Sequence, residues 1–120
     1  MLKNLLLVAL GGGAGSALRF LFSIWFRHQS FPLATLLVNI IGSFMIGLVI
    51  AVSLRSSSFD SNWRLLLATG LCGGFTTFSA FSAEGLQLIQ QDRVGVFAAY
   101  AIGSVLLGLG AAWLGFTVAK

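Results

Sequence analysis

The sequence predicts an all-α membrane protein with four transmembrane helices. Of its 120 residues, 58% are hydrophobic and only 8% are charged, and the mean hydropathy is +0.98. A soluble domain of this size must leave much of its surface in water and cannot hide so much apolar area. Four apolar runs fill almost the whole chain, and each reaches or approaches the roughly 20 residues that cross a bilayer as a helix.

The predicted helices form a single transmembrane domain over residues 1–120. Their expected bounds are residues 2–26, 32–54, 63–91 and 94–119. The first run is longer than the apolar core of a signal peptide, and three more runs follow it, so we expect no cleavage. The loops between the helices are short, at about residues 27–31, 55–62 and 91–93, so neighbouring helices are expected to pack antiparallel.

Basic residues are sparse and almost balanced between the two sides of the predicted bundle. The side of the two termini carries Lys3, Arg55, Arg64 and Lys120. The other side carries Arg27 and Arg93, with Arg19 inside the span near that edge. The positive-inside rule therefore favours cytoplasmic termini only weakly, and so weak a bias allows insertion in both orientations. The net charge of +4 includes no basic stripe, so nucleic acid is not an expected partner.

The densest group of polar residues lies in the third predicted helix, between Gly73 and Glu84. The string Gly73-Gly74-Phe75-Thr76-Thr77 is expected to break this helix near its middle. Glycines at that depth free backbone carbonyls, which need partners in a membrane and which a bound cation can satisfy. The alternative is a packing kink in which threonines bond back to their own helix. The adjacent threonines favour a functional break.

Phenylalanines recur every third residue through this segment, at Phe75, Phe78 and Phe81. Phenylalanine in a membrane helix normally faces lipid or the protein core. Serines and a glutamate alternate with these rings, however, so exposing the whole segment to lipid is unfavourable. The edge of an aromatic ring is electropositive, so rings presented edge-on can favour an anion without giving it a full countercharge.

Other polar residues lie deep in the remaining helices. Asn39 in the second helix is either a bond between helices or a pore group, and its amide can donate two hydrogen bonds. Tyr100 and Ser104 are four residues apart and share a face of the fourth helix, for a pore or for packing. Glu84 and Arg19 are the charges well inside spans, and either could extend to the interface.

Three segments resemble the small fluoride channels called Fluc or CrcB, and the likeness covers essentially the whole chain. Gly11–Phe20 resembles the first-helix motif of that family, and Thr35–Ser43 resembles the second-helix motif. The most specific segment is Gly70–Glu84, which contains the glycine pair, both threonines and the phenylalanines. Because all three occur in order in a four-helix chain, the chain is identified as a member of this family.

The resemblance implies an antiparallel homodimer of dual topology, in which two pores conduct fluoride passively across the cell's inner membrane. Such export would lower cytoplasmic fluoride. A sodium ion, structural and not transported, would lie at the dimer centre. The resemblance assigns its ligation to the backbone carbonyls of Gly73 and Thr76 from both subunits. A two-fold axis in the membrane plane crosses the midplane, so symmetry would bring two copies of the broken helix together there.

Roles for individual residues also follow from the resemblance. Phe78 and Phe81 would touch fluoride with their ring edges, and Asn39 would donate a hydrogen bond to it. Thr77 and Ser79 would be polar neighbours of this site.

Further roles concern the ends of the pore and the fourth helix. Arg19 would help to form the vestibule or the dimer contact, and Glu84 would lie at one end of the pore. Tyr100 and Ser104 would begin a row of polar side chains along the fourth helix. The family often continues this row with hydroxyls, whereas this chain has glycines one to two turns further on, at 108 and 110.

Two other functions of a membrane protein, and catalysis, fit the sequence less well. A small proton-coupled multidrug antiporter is also four-helical and of dual topology, but it needs a carboxylate in the first helix, and this chain has none there. A scaffold held together by glycine faces would leave the polar cluster unexplained. We expect that the protein is not an enzyme, because its only histidine, His28, lies in a predicted loop and no nucleophile has a plausible base.

Overall fold

The computed structural model describes residues 1–27, 31–59 and 61–120, and helix is the only regular secondary structure in these ranges. The elements are α1 Leu2–Trp25, α2 Leu33–Arg55, α3 Ser61–Arg64, a π-helical segment Leu65–Cys72, α4 Gly73–Phe75, α5 Ser79–Gln90 and α6 Val94–Ala119. Residues 28–30 and 60 belong to the first two predicted loops and lie outside the described residues, as does His28 with its expected loop position.

These elements make four spans that are long and apolar enough to cross a membrane, as the sequence predicts. Helices α1, α2 and α6 are one span each, and the third span is Ser61–Gln90. At about 1.5 Å per residue, even the 23 residues of α2 exceed the roughly 30 Å of a hydrocarbon core. The chain is therefore a multi-pass membrane protein.

The third span is irregular in two places. Its segment Leu65–Cys72 is π-helical, a geometry that rarely extends beyond a single turn in proteins. Helix α4 then ends at Phe75, Thr76 is extended with φ −84° and ψ 158°, and α5 begins only at Ser79. Residues 76–78 therefore lack regular helical structure inside an apolar span.

Close backbone contacts join α1 to the third span. Gly11 and Gly15 are both buried in this contact. A Cβ atom added at Gly11 would collide with the carbonyl oxygen of Leu66, and one at Gly15 would collide with the backbone of Leu71 and Phe75. Small residues allow such close approach of helices in membranes, where apolar side chains gain little by leaving lipid.

A second pair of glycines joins α2 to α6. A Cβ added at Gly47 would collide with the carbonyl of Ala112, and one at Gly115 would collide with the carbonyl of Phe44. The bundle thus consists mainly of two close helix pairs, α1 with the third span and α2 with α6. Many large apolar side chains remain exposed along the spans, which suits contact with lipid or with another protein.

We expect Gly15→Ala to destabilise the protein, because the new methyl group would overlap backbone atoms of Leu71 and Phe75 that cannot rotate away. Overpacking of this kind costs about 1–3 kcal/mol. Thermal unfolding in detergent measures the effect. Gly13→Ala, on the same helix, is the matched control, since a Cβ added at Gly13 has no atom within 4 Å to collide with. Equal melting temperatures for the two variants would contradict this account of the packing.

Candidate functional site

A cavity of about 620 Å³ lies beside residues 76–78, between the second, third and fourth spans. We call it the central cavity. Its wall includes most of the residues that the sequence singled out: Asn39, Gly73, Thr76, Thr77, Phe78, Phe81 and Ser104. These positions come from three different spans, so the fold gathers into one place side chains that are up to 65 residues apart.

Asn39 holds the non-helical stretch in place through two hydrogen bonds to the backbone of Thr77. Its Nδ2 donates to the Thr77 carbonyl oxygen at 3.2 Å, and the Thr77 N–H donates to its Oδ1 at 3.0 Å. One amide therefore satisfies both backbone groups of a residue in an apolar span. The amide carries a second N–H, and its expected bond to an anion stays a prediction.

Several backbone carbonyls lose their helical donors at this point, among them those of Gly73 and Thr76. In a continuous helix, the N–H of Thr77 would donate to Gly73 and that of Ala80 to Thr76. The Thr77 N–H instead donates to Asn39, and the Ala80 N–H donates to the Thr77 Oγ1 at 3.1 Å. Freed carbonyls within a membrane span need other partners. Gly73 and Thr76 thus present carbonyl oxygens that can accept from, or ligate, another group.

The Gly74 carbonyl, which follows Gly73, is satisfied by the first span. Arg19 Nε donates to the Gly74 carbonyl oxygen at 3.3 Å, and Ser16 Oγ donates to the same oxygen at 3.5 Å. Arg19 is therefore held against the third span instead of extending to the interface. The Thr76 Oγ1 donates to the Cys72 carbonyl at 2.8 Å, which is the back-bonding that the sequence offered as an alternative.

Aromatic rings continue from the central cavity to a carboxylate. The Phe78 and Phe81 ring centroids are 5.7 Å apart, and those of Phe81 and Tyr100 are 5.0 Å apart. Tyr100 is fully buried, and its hydroxyl donates to Glu84 Oε1 at 3.1 Å. This bond keeps Glu84 turned into the bundle. We call these four residues the aromatic file.

Glu84 also lines a second cavity, of about 450 Å³, at one end of the bundle. We call it the end cavity. Arg27 and Arg93 contribute to its wall, together with Gln87 and Gln91. Among the described residues, the wall of this cavity therefore carries two basic side chains and one carboxylate, that of Glu84. The aromatic file therefore lies between the end cavity, which Glu84 lines, and the central cavity, which Phe78 and Phe81 line.

Some predicted site residues lie off the central cavity. Tyr100 and Glu84 are further along the aromatic file, and Arg19 lines a separate cavity of about 160 Å³ that Glu84 shares. Ser79 is exposed at the start of α5, where its Oγ is 3.1 Å from the Thr77 Oγ1.

The chain is similar in sequence to a known protein family. A family model described as "CrcB-like protein, Camphor Resistance (CrcB)" matches residues 6–116. The chain belongs to this family. The match includes the second and third spans, most of the first and fourth, the central cavity and the aromatic file.

Curated members of the CrcB-like family are similar to the chain over nearly its whole length. A protein of Leptospira interrogans serogroup Icterohaemorrhagiae serovar copenhageni is 46% identical over 98% of this chain and 95% of its own length. A protein of Methylobacillus flagellatus is 46% identical over 98% of this chain and 94% of its own length. A protein of Phocaeicola vulgatus is 44% identical over 99% of this chain and 100% of its own length. All three carry the name "Fluoride-specific ion channel FluC".

The structure adds residues of this CrcB-like chain that the sequence did not single out as site residues. Thr35 is only 7% exposed and lines the end cavity, and Ser43 lines the central cavity. A Cβ at Gly42 would collide with the methyl group of Thr76. The spacing of the two polar residues from Asn39 could have indicated them. Thr35 and Ser43 lie four residues before and after Asn39 and so share its helix face.

Proposed function

We propose that this chain is a subunit of a fluoride-specific channel that exports fluoride passively across the cell's inner membrane. The observation that carries the proposal is the aromatic file, which leads from the basic end cavity to Asn39 and the central cavity. The names of the relatives, which are 44–46% identical over nearly the full chain, support the same ion.

The chemistry of the file suits a small anion. Fluoride is strongly hydrated, so entry requires groups that replace its water. Amide and hydroxyl donors and the electropositive ring edges of Phe78 and Phe81 do so without a full positive charge, and conduction requires that no site binds too tightly. Chloride is too large for a narrow file of such groups, and hydroxide, which is similar in size to fluoride, is the harder anion to exclude.

The proposed channel is an antiparallel dimer, because a single chain leaves the site open. Phe78 is 78% exposed although it lies in the middle of a span, and Gly73 beside it is exposed as well. A second copy related by a two-fold axis in the membrane plane would cover both positions. The weak charge bias of the loops is compatible with insertion in both orientations.

A structural sodium ion at the dimer axis fits the backbone geometry. The carbonyls of Gly73 and Thr76 have both lost their helical donors, and two copies would offer four such oxygens. Oxygen ligands suit hard cations. The ion would supply a fixed positive charge, and these carbonyls would orient it between the subunits. It is proposed as a part of the structure and not as a transported ion.

We expect removal of sodium to weaken the dimer, because the freed carbonyls of Gly73 and Thr76 would then face each other without a countercharge. The measurement is the dimer fraction in detergent, by size exclusion and cross-linking, after exchange of sodium for N-methylglucamine. Potassium at the same ionic strength is the control for screening. An unchanged dimer fraction in all three salts would contradict a stabilising sodium site.

The proposed function is tested by fluoride release from liposomes that contain the purified protein. Fluoride in the external solution is read by an electrode after a potassium ionophore is added, and chloride-loaded liposomes are run in parallel. We expect rapid release of fluoride and no release of chloride. Absence of fluoride release from verified, folded protein would overturn the proposal, and the multidrug antiporter would then be tested by proton-coupled uptake of a cationic drug.

A further inference from the structure

Ser43 is a polar residue of α2 with no assigned role. It lies one turn after Asn39, and both side chains line the central cavity together with Ser104 of α6. Ser43 is only half-buried, although its helix lies between other spans. Its hydroxyl therefore belongs to the wall of the proposed anion path.

The hydrogen bonding of Ser43 differs from that of other hydroxyls in the spans. Ser53, in the same helix, donates to the Ile50 carbonyl at 2.8 Å, and Ser23 in α1 donates to the Phe20 carbonyl at 2.6 Å. This back-bonding is the usual way to satisfy a hydroxyl in an apolar span. Within residues 1–27, 31–59 and 61–120, Ser43 makes no such bond, so its hydroxyl can bond to a guest in the cavity.

A second hydroxyl of the same wall is in a similar state. Ser104 Oγ is buried and has no hydrogen-bond partner among the described residues. A buried polar atom without a partner is unfavourable unless something else occupies the space beside it. Ser43 and Ser104 thus leave two donors in one cavity that the protein itself does not use.

The fourth span lies close to Ser43 at Gly108. Gly108 is one turn after Ser104 on α6, and a Cβ added there would come 3.5 Å from Ser43 Oγ, an ordinary van der Waals contact. A side chain at position 108 would therefore begin beside the Ser43 hydroxyl.

We propose that Ser43 donates a hydrogen bond to the anion in the central cavity, whose wall it shares with Ser104, at a point beside Gly108. The inference rests on the proposed fluoride function. The hydroxyl acts as a donor, with its hydrogen turned toward the anion. The residue is thus a binding residue of the path, supplied by the second span in place of a side chain of the fourth.

The first test compares Ser43→Ala with Ser53→Ala in the fluoride-release assay. We expect Ser43→Ala to slow fluoride release about tenfold, since a hydrogen bond to a charged group contributes about that factor or more. Ser53→Ala removes a back-bonded hydroxyl from the same helix and should release fluoride at the wild-type rate. Dimer elution of each variant is recorded, so that a loss of folding is not mistaken for a loss of conduction.

The second test is rescue from the neighbouring helix. Gly108→Ser should restore most of the lost rate in the Ser43→Ala background, because the new Cβ starts within van der Waals reach of the Ser43 position. A purely structural role of Ser43 would not be rescued this way. Should Ser43→Ala fail to form dimers, Ser43→Cys replaces it, with a weak donor of similar size and the same expected loss.

The outcomes separate the inference from the function on which it rests. If wild type releases no fluoride, the proposed function fails and the inference with it. If wild type releases fluoride and Ser43→Ala matches it, or Gly108→Ser fails to rescue a slowed and folded variant, the inference alone is overturned.

Discussion

Phe81→Ile is expected to slow fluoride release by about 100-fold while leaving the dimer intact. The Phe81 ring lies on the wall of the central cavity and contacts the rings of Phe78 and Tyr100 at 5.7 and 5.0 Å. Isoleucine keeps an apolar side chain of moderate size but has no electropositive edge to replace water around an anion. A 100-fold loss corresponds to about 2.7 kcal/mol of barrier, close to the loss of two aromatic contacts at about 1.5 kcal/mol each.

The measurement is the initial rate of fluoride release per dimer in liposomes, with size exclusion as the check of assembly. Phe116→Ile is the matched control, because Phe116 lies near the end of α6 and is not part of the wall of the central cavity, the end cavity or the cavity beside Arg19. Normal release by Phe81→Ile would remove the aromatic file from the conduction path. It would also leave a scaffold role as the better account of the polar cluster.

The four spans could be predicted from the sequence because they depend on local composition. An uncharged run such as Phe31–Leu54 has the right length to cross a bilayer whatever its neighbours are, so its state follows from its own residues. The position of the polar cluster was equally readable, because glycines and threonines next to each other in an apolar run are unfavourable there. Spacing placed Ser104 on the same helix face as Tyr100.

The hydrogen bonds that shape the site could not be predicted this way, because each joins residues far apart in the chain. Thr77 bonds to Asn39 across 38 residues, and Arg19 bonds to Gly74 across 55. Nothing in the local sequence says which carbonyl a buried guanidinium will find. The π-helical geometry of Leu65–Cys72 likewise has no local signature, since it accompanies the close backbone contact with α1.

At Thr76 the two alternatives that the sequence leaves open occur together. Back-bonding of the threonines and freed carbonyls were alternatives for the same segment. In the structure, the Thr76 hydroxyl donates to the Cys72 carbonyl. The Ala80 N–H, which would donate to the Thr76 carbonyl in a continuous helix, donates instead to Thr77 Oγ1. Because the hydroxyl and the carbonyl are different groups, one residue does both. The Thr76 hydroxyl therefore makes a packing bond, while the Thr76 carbonyl oxygen lacks its helical donor.

Substitution of Asn39 is expected to have an effect as large as that of Phe81→Ile, but through two separable causes. Asn39→Asp keeps an acceptor for the Thr77 N–H and loses the donor to the Thr77 carbonyl. It also places a carboxylate beside the proposed anion path. We expect fluoride release to fall by about 100-fold or more, and stability to fall by about 1–3 kcal/mol for the carbonyl left without a partner. Asn4→Asp, the same chemical change at an exposed position, is the control.

Asn39→Ala distinguishes the two causes, because it removes both bonds to Thr77 but adds no charge. If Asn39 only positions the backbone, the melting temperature should fall further in Asn39→Ala than in Asn39→Asp, and fluoride release should follow that order. If the anion passes beside residue 39, Asn39→Asp should conduct less than Asn39→Ala despite its higher melting temperature, since the carboxylate repels the ion. A variant that conducts normally in either case would contradict both roles. The order of the two rates against the two melting temperatures thus decides whether residue 39 lies on the anion path or only positions the backbone.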